Sequence, residues 1–244
     1  MAGTVIHGVN AVREALLTPD RINRVYFAQE SRAPAAGALI AEVKHRRVPF
    51  DFVPQAKLNA MTRTKEHQGV AAEISPVAYA SLDAILAQCG PKALLLACDG
   101  VQHPKNLGLL IRTATGAGCS GMILTQRGGA LLDEDVVRAS AGTVLRMPIL
   151  PVHKLPETLR ALKEEGFWVY ALDPAAPATL YDTRWPDRVV LVLGNETDGL
   201  RPIVFKCCDA AVRIPLANEL DSLNVAIAAG IALFHIARTQ TVAP

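Results

Sequence analysis

The stretch ALLLACDGVQHPKNLGLLIRTATG, residues 93–116, decides how this chain folds. Ala93 to Cys98 is an unbroken apolar run, short enough for a strand buried on both faces. A polar loop follows. From Lys105 to Gly116, Leu107, Leu110, Ile111 and Ala114 recur at i, i+3, i+4 and i+7, the spacing of a helix with one apolar stripe. Gly108 and Arg112 lie four apart on one face of that helix. Either the glycine leaves room for a ligand beside an arginine, or it packs helices and Arg112 is a surface residue.

The same alternation runs outward in both directions. Downstream, strands are expected at Gly121–Thr125, near Leu150, at Phe167–Leu172, Val189–Leu193 and Ala211–Pro215. Helices are expected at Asp133–Ala141, Leu155–Glu165 and Ser222–Arg238, the last with Leu223, Ile227, Ile231 and Phe234 on its apolar face. Upstream, a smaller unit reads as helix Asn10–Leu17, strand Arg24–Ala28, helix Ala35–Arg47, and strands Pro49–Val53 and Gly69–Ile74. Ser75–Ser81, with a proline and small residues, reads as a linker. The pattern predicts an α/β fold with domains at 1–74 and 82–244, the larger built on a mostly parallel sheet covered on both faces.

Composition narrows the function. The 244 residues are 50% hydrophobic and 20% charged, as in a globular protein. No apolar run approaches the ~20 residues that span a bilayer. The N-terminus lacks the basic and apolar regions of a secretory signal, so no membrane association and a cytoplasmic location are expected. Five cysteines, odd in number and without CxxC, predict buried thiols rather than disulfides or a zinc site. The six histidines are scattered, and no metal is expected. Net charge is +2, unevenly placed: residues 1–76 hold ten Lys and Arg against seven Asp and Glu. Lys44, His45, Arg46 and Arg47, and Arg63, Lys65 and His67, form two basic groups that would suit phosphates or simply be solvated.

Gly116, Gly118 and Gly121 match GxGxxG, but a helix precedes them and a strand follows. That is the reverse of a dinucleotide site, so they read as a helix end and a tight turn. Two other strand–loop junctions carry more. Val189–Leu193 empties into Gly194-Asn-Glu196-Thr-Asp-Gly199, and Arg213-Ile214-Pro215 leads through an acidic loop to Ser222-Leu-Asn224-Val. Ligands of open α/β sheets bind beyond the carboxyl ends of strands. A helix starting at Ser222 would offer free N–H groups to an anion, or Ser222 would merely cap it.

Taken in order, these loops resemble the three motifs of the SpoU/TrmH branch of the knotted (SPOUT) RNA methyltransferases. The first is Asn106, Gly108 and Arg112; the second Gly194, Glu196 and Gly199; the third Ile214, Pro215, Ser222, Leu223, Asn224 and Val225. The likeness covers residues 93–238. Upstream, His7-Gly8 with Val12 and Glu14, and His67-Gln-Gly-Val70, look like the L30e-like RNA-binding domain of members that methylate 23S rRNA on a guanosine ribose. Ala226 stands where the family often has serine, and the loop 217–221 is more acidic than usual.

The resemblance implies a trefoil-knotted catalytic domain, a homodimer, S-adenosylmethionine as methyl donor and rRNA, alternatively tRNA, as substrate. The rival without chemistry is an RNA-binding assembly factor on the same scaffold. By resemblance, Arg112 is the catalytic residue, holding phosphate and aiding loss of the 2′-hydroxyl proton; a guanidinium is itself a reluctant base. Asn106, Glu196, Ser222 and Asn224 would position the ribose and Arg112, and Gly194, Ile214 and Leu223 would hold the cofactor. Arg46, Arg47, Arg63 and Lys65 are the expected RNA contacts.

Overall fold

The computed structural model describes residues 4–29 and 34–240, with backbone alone for 34–36. The outer ends of both expected domains, residues 1–3 and 241–244, lie outside the described residues. The chain divides into two compact units, residues 1–78 with 132–146, and residues 79–131 with 147–244.

The first unit contains strands β1 (Thr4–His7), β2 (Ile22–Ala28), β3 (Phe50–Val53) and β4 (Val70–Ile74), and helices α1 (Val9–Ala15), α2 (Pro34–His45) and α3 (Gln55–Thr62). Their sheet has the order β1-β4-β2-β3, antiparallel except for the β2–β3 pair. One face buries Ala28, Val53, Leu58 and Ala71 together. In this unit one strand and one α-helix escaped the sequence reading, as did the short elements Leu82–Leu86, Ala178–Thr179 and Pro202–Phe205 of the second unit. β1 is four residues long, too short to show a period, and α3 has too little apolar sequence for a stripe: Leu58 and Thr62 are its buried residues.

The second unit contains α4 (Leu82–Leu86), β5 (Ala93–Cys98), α5 (Pro104–Gly116), β6 (Gly121–Thr125), then, beyond residue 146, β7 (Ile149–Val152), α7 (Leu155–Glu164), β8 (Trp168–Leu172), β9 (Ala178–Thr179), β10 (Arg188–Leu193), α8 (Pro202–Phe205), β11 (Ala210–Arg213) and α9 (Val225–Thr239). Its seven strands are all parallel, in the order β7-β6-β5-β10-β8-β11-β9. β5 is buried along its whole length, as a continuous apolar run requires. Between β6 and β7 the chain leaves to supply α6 (Glu134–Ala139) to the first unit, where it packs on β1.

That excursion departs from the sequence reading, which put residues 132–146 in the second domain. Val136, Val137 and Val144 are buried, and Arg146 pairs with Glu14 at 2.7 Å. Gly142, at φ +87°, lies so close to the Ala11 carbonyl that a side chain there would collide with it. None of these partners is near in sequence, so periodicity carries no trace of them.

The last helix also differs. It begins at Val225, not Ser222, and Asn224 caps it by accepting from the N–H groups of Ala226 and Ile227. Its buried face is Ala226, Ala229, Ala232, Leu233 and Ile236, whereas Ile227 and Phe234 are 57% and 53% exposed. The larger apolar residues were taken for the core face; small alanines pack there because α9 lies close on α5, with Gly230 against Thr113. The glycine string resolves as expected: α5 ends at Gly116, Gly118 takes φ +78° and β6 starts at Gly121. No helix among the described residues is long and apolar enough to cross a membrane.

Candidate active site

At the carboxyl ends of β8, β10 and β11 the second unit holds a cavity of about 570 Å³. β10 lies between β5 and β8 although β6 and β7 continue outward from β5, so the strand order reverses there, and crevices at such reversals hold ligands. Leu172, Leu193, Ile214, Leu216 and Leu223 give it apolar walls. Asp173, Glu196, Ser222, Asn224 and His103 supply polar groups.

One chain of hydrogen bonds joins the three loops. Asn224 Nδ2 donates to Asn106 Oδ1 at 3.1 Å, and Asn106 Nδ2 donates to Glu196 Oε1 at 3.0 Å. Glu196 also accepts from the backbone N–H groups of Gln102 and His103, both at 3.2 Å, where α5 begins. Burial pushes the Glu196 carboxyl up, but the hydrogen bonds from Asn106 and the backbone outweigh it and hold it below the usual carboxylate range. Glu196 is therefore an anion whose acceptors are engaged by its own protein. It fastens the second loop to the start of α5 and fixes the orientation of the Asn106 amide; it is not placed as a free base.

The loops themselves are tightly determined. Asn195 and Gly199 exchange backbone hydrogen bonds at 2.9 and 3.1 Å, folding the second loop back on itself. A Cβ on Gly194 would collide with the Gly199–Leu200 backbone, so glycine is the residue that lets this turn close. The Asn195 side chain donates to the Gly100 carbonyl at 2.8 Å and accepts from the N–H of Thr197 at 2.7 Å. Asp99, fully buried, accepts from Arg201 Nε at 2.9 Å and from the Arg201 backbone N–H at 3.1 Å. These two side-chain clamps tie the loop after β5 to the loop after β10.

The structure thus gathers Asn106, Gly194, Glu196, Ile214, Ser222, Leu223 and Asn224 around one cavity. It does not bring Arg112 there: that side chain is exposed on α5, on a stripe with Leu109 and Gly116, and does not line the cavity. The helix start expected near Ser222 to receive an anion is occupied, and so is the start of α5. Asn224 takes the N–H groups at α9 and Glu196 those at α5.

Among the basic groups, Arg47, Arg63 and Lys65 are exposed, and Arg46 sits 3.9 Å from Glu42. His67 is no surface cation: it is 2% exposed, its Nδ1 accepts from the Gly69 N–H and its Nε2 bonds Asn59 Oδ1. The two groups are also apart. Arg46 and Arg47 enter β3 at its start, whereas the Arg63–Lys65 loop leads into β4 beside Phe27, at the far end of β2. The sequence reading missed Asp99, Asn195, Arg201, Asp173 and His103. Asn195 and Asp99 sat inside the quoted loops, but nothing in a string distinguishes a loop-fastening polar residue from a solvated one.

A crevice at the strand-order reversal of a parallel sheet, closed by three interlocked polar loops, is the place where α/β enzymes bind their ligands. Residues 93–234 match the SpoU rRNA Methylase family, and residues 5–80 match the family described as RNA 2'-O ribose methyltransferase substrate binding. The chain is 34% identical over 244 residues to a Staphylococcus aureus protein named for the TrmH family of tRNA/rRNA methyltransferases, covering 98% of both. It is 34% identical over 239 residues to the 23S rRNA (guanosine-2'-O-)-methyltransferase RlmB of Xanthomonas axonopodis, covering 96% of each. Among solved structures, the AdoMet-bound rRNA methyltransferase from Sinorhizobium meliloti is 28% identical, with a TM-score of 0.77 over 100% of this chain and 89% of that one. The A. aeolicus TrmH/SpoU tRNA modifying enzyme is 25% identical, with a TM-score of 0.56 over 64% of this chain and 79% of that one. The chain belongs to the SpoU rRNA methylase family, and it is an RNA methyltransferase.

Proposed function

We propose that this protein transfers a methyl group from S-adenosylmethionine to the ribose 2′-hydroxyl of a guanosine in 23S rRNA. The observation that carries rRNA over tRNA is the first unit. Residues 5–80 match a substrate-binding family, and the RlmB relative covers 96% of the chain, whereas the tRNA-modifying structure covers 64% of it. An rRNA substrate puts the work in the bacterial cytoplasm.

The residues present fit the methyl donor. Apolar walls from Leu172, Ile214, Leu216 and Leu223 suit an aromatic base, and the Asp173 carboxylate on the rim suits a cationic ligand. Ile214, Leu216 and Leu223 would hold the adenosine, with Gly194 leaving the loop backbone close. When bound, the cofactor supplies a methyl group already activated on a sulfonium sulfur. The protein's remaining task is to place the ribose hydroxyl and receive its proton. Asn106 and Asn224 are held in fixed orientation at the cavity mouth, and Ser222 is exposed beside them, so these three are the positioning residues. Arg112 acts as the residue that steers the nucleotide phosphate and favours loss of the proton.

Arg112 reaches that role through assembly. Leu109, Ile227 and Phe234 are exposed on α5 and α9, with Phe234 against Gly116, and Leu109 and Gly116 share the helix stripe of Arg112. A second copy covering this apolar face forms the homodimer and sets Arg112 at an interface beside the chemistry. The trefoil threading of the C-terminal segment belongs to the same reading, supported by β10 entering between β5 and β8. The test is methyl incorporation from labelled S-adenosylmethionine into protein-free 23S rRNA and into bulk tRNA, followed by mapping of 2′-O-methyl sites. A single guanosine in 23S rRNA is expected. Label confined to tRNA would overturn the substrate, and absence of cofactor binding by calorimetry would overturn the enzyme reading.

A further inference from the structure

We infer that Phe50 and Phe52, with Lys44 and Arg47 beside them, form a stacking site for an unpaired base of the RNA substrate; this rests on the substrate-binding reading of the first unit. β3 is one of the two outer strands of that sheet. Phe52 pairs in register with Phe27, which is 1% exposed, yet Phe52 is 51% exposed. The rings of Phe27, Phe50 and Phe52 stand 5.9–6.1 Å apart, so the outer ring is braced from the core side. Edge strands ordinarily protect themselves with charge. Here the charge on the strand, Asp51, is engaged by Arg24 at 2.7 Å and alternates to the other face, leaving Phe52 in water with Phe50 half-buried beside it.

One cation lies over a ring, and a second precedes the strand in the chain. Lys44 Nζ lies 5.8 Å from the Phe50 ring centre, and Arg47, at φ 57°, turns the chain into β3. Neither has an ion-pair partner among the described residues, whereas Glu42 engages Arg46 and Arg13. A braced, exposed aromatic face with free cations at its margin is the chemistry that receives single-stranded nucleic acid: bases stack on the rings and phosphates meet the cations. The Arg63–Lys65 loop attaches at the other end of the sheet and contains no aromatic residue, so it offers charge without a platform. The site accordingly selects unpaired RNA and is indifferent to which base stacks.

The experiment measures affinity of the full-length protein for a labelled single-stranded 20-nucleotide RNA and for its duplex, by anisotropy, with Phe52→Ala, Phe52→Leu, Phe52→Trp and Lys44→Ala/Arg47→Ala. Loss of one stacked base weakens single-strand binding about ten-fold in the Ala and Leu variants, spares duplex binding and is restored by Trp. The double charge variant lowers the salt slope by about 1.4 on single strands. Leu retains apolar contact with Phe27, so the Leu–Trp comparison stands even where Ala disturbs the fold. Equal weakening by Leu and Trp, or wild-type affinity in both, overturns the stacking site. So does unchanged RNA affinity with an altered solution mass, which would make the face a protein contact. Wild-type protein without salt-dependent RNA binding overturns the recruitment reading itself, a result separable from the other three.

Discussion

Asn224 holds two structures at once. Its Oδ1 caps α9 and its Nδ2 donates to Asn106, so the helix start and the cavity mouth share one side chain. Asn224→Ala should cost about 1 kcal/mol through the lost cap, and methyl transfer should fall at least about ten-fold because the Asn106 amide is no longer fixed. Asn106→Ala combined with it should be less than additive in stability by roughly 0.5 kcal/mol, the lower end of a hydrogen bond's worth because the Asn224–Asn106 bond is exposed. Denaturant titration of the four proteins decides this, and strict additivity would mean the relay carries no energy. Arg112 is the opposite case. Exposed and outside the cavity, it holds nothing in its own unit, so Arg112→Ala should leave thermal unfolding within about 0.5 kcal/mol of the parent. Cofactor affinity by calorimetry should be unchanged while methyl incorporation drops about a hundred-fold or more. Near-normal turnover would remove it from the chemistry. Seven of the cavity-lining residues, Asn106, Gly194, Glu196, Ile214, Ser222, Leu223 and Asn224, were legible in the sequence because the three motifs travel as ordered strings. Glu196 was legible as important but not for its duty: only the geometry shows its acceptors filled by Asn106, Gln102 and His103.

Elements were readable wherever their own sequence determined them. β5 and β6 begin and end where the apolar runs do, and α5 starts on Pro104, a residue suited to a first helical turn. Reading failed where a distant partner determined the element. α9 buries alanines since α5 lies close against it, and its large residues turn outward. That outward face gives a prediction: Ile227→Lys with Phe234→Lys should leave the fold intact, shift the solution mass to a monomer and reduce methylation at least ten-fold, about the effect expected when a subunit contact that places a catalytic group is lost. Light scattering at micromolar concentration beside an activity assay tests it; a monomeric parent with full activity would refute the dimer. The loop after β10 depends on Gly194 for the same reason of proximity. Gly194→Ala drives a methyl into the Gly199–Leu200 backbone. The loop must then open, and cofactor affinity should weaken more than about ten-fold, with a stability loss of 1–3 kcal/mol typical of overpacking.

At the scale of the whole molecule the chain passes from the second unit back to the first and out again, through residues 132–146. A cut at residue 75 would therefore strip α6 of β1 and expose Val136 and Val137, so point changes report on the first unit more cleanly than truncation does. Each unit also holds one histidine that couples its stability to pH. In the first, burial, followed by the charge of Arg138, lowers the His7 pKa below its ordinary 6.5. In the second, burial and then Arg238 lower that of His235, whose ring packs edge-on against Tyr181 at 5.3 Å. Both groups stay unprotonated in the folded chain at a pH where the unfolded chain has begun to bind protons. The unfolded state then carries more protons, stability rises with pH through this window, and acidification from above 6.5 removes it. Melting temperature should fall between pH 7.5 and 5.5. His7→Gln and His235→Gln should each flatten that dependence, and the double variant should flatten it further. Glu196, an acid whose pKa is also depressed, contributes in a separate window: its stabilisation is present above the ordinary carboxylate pKa of 4.5 and is lost only as the pH falls below it. Scanning calorimetry across pH 4–8 on the three variants and the parent separates the two windows. A parent protein whose melting temperature is flat from 7.5 to 5.5, or a double variant as pH-sensitive as the parent, would show that neither imidazole carries the coupling.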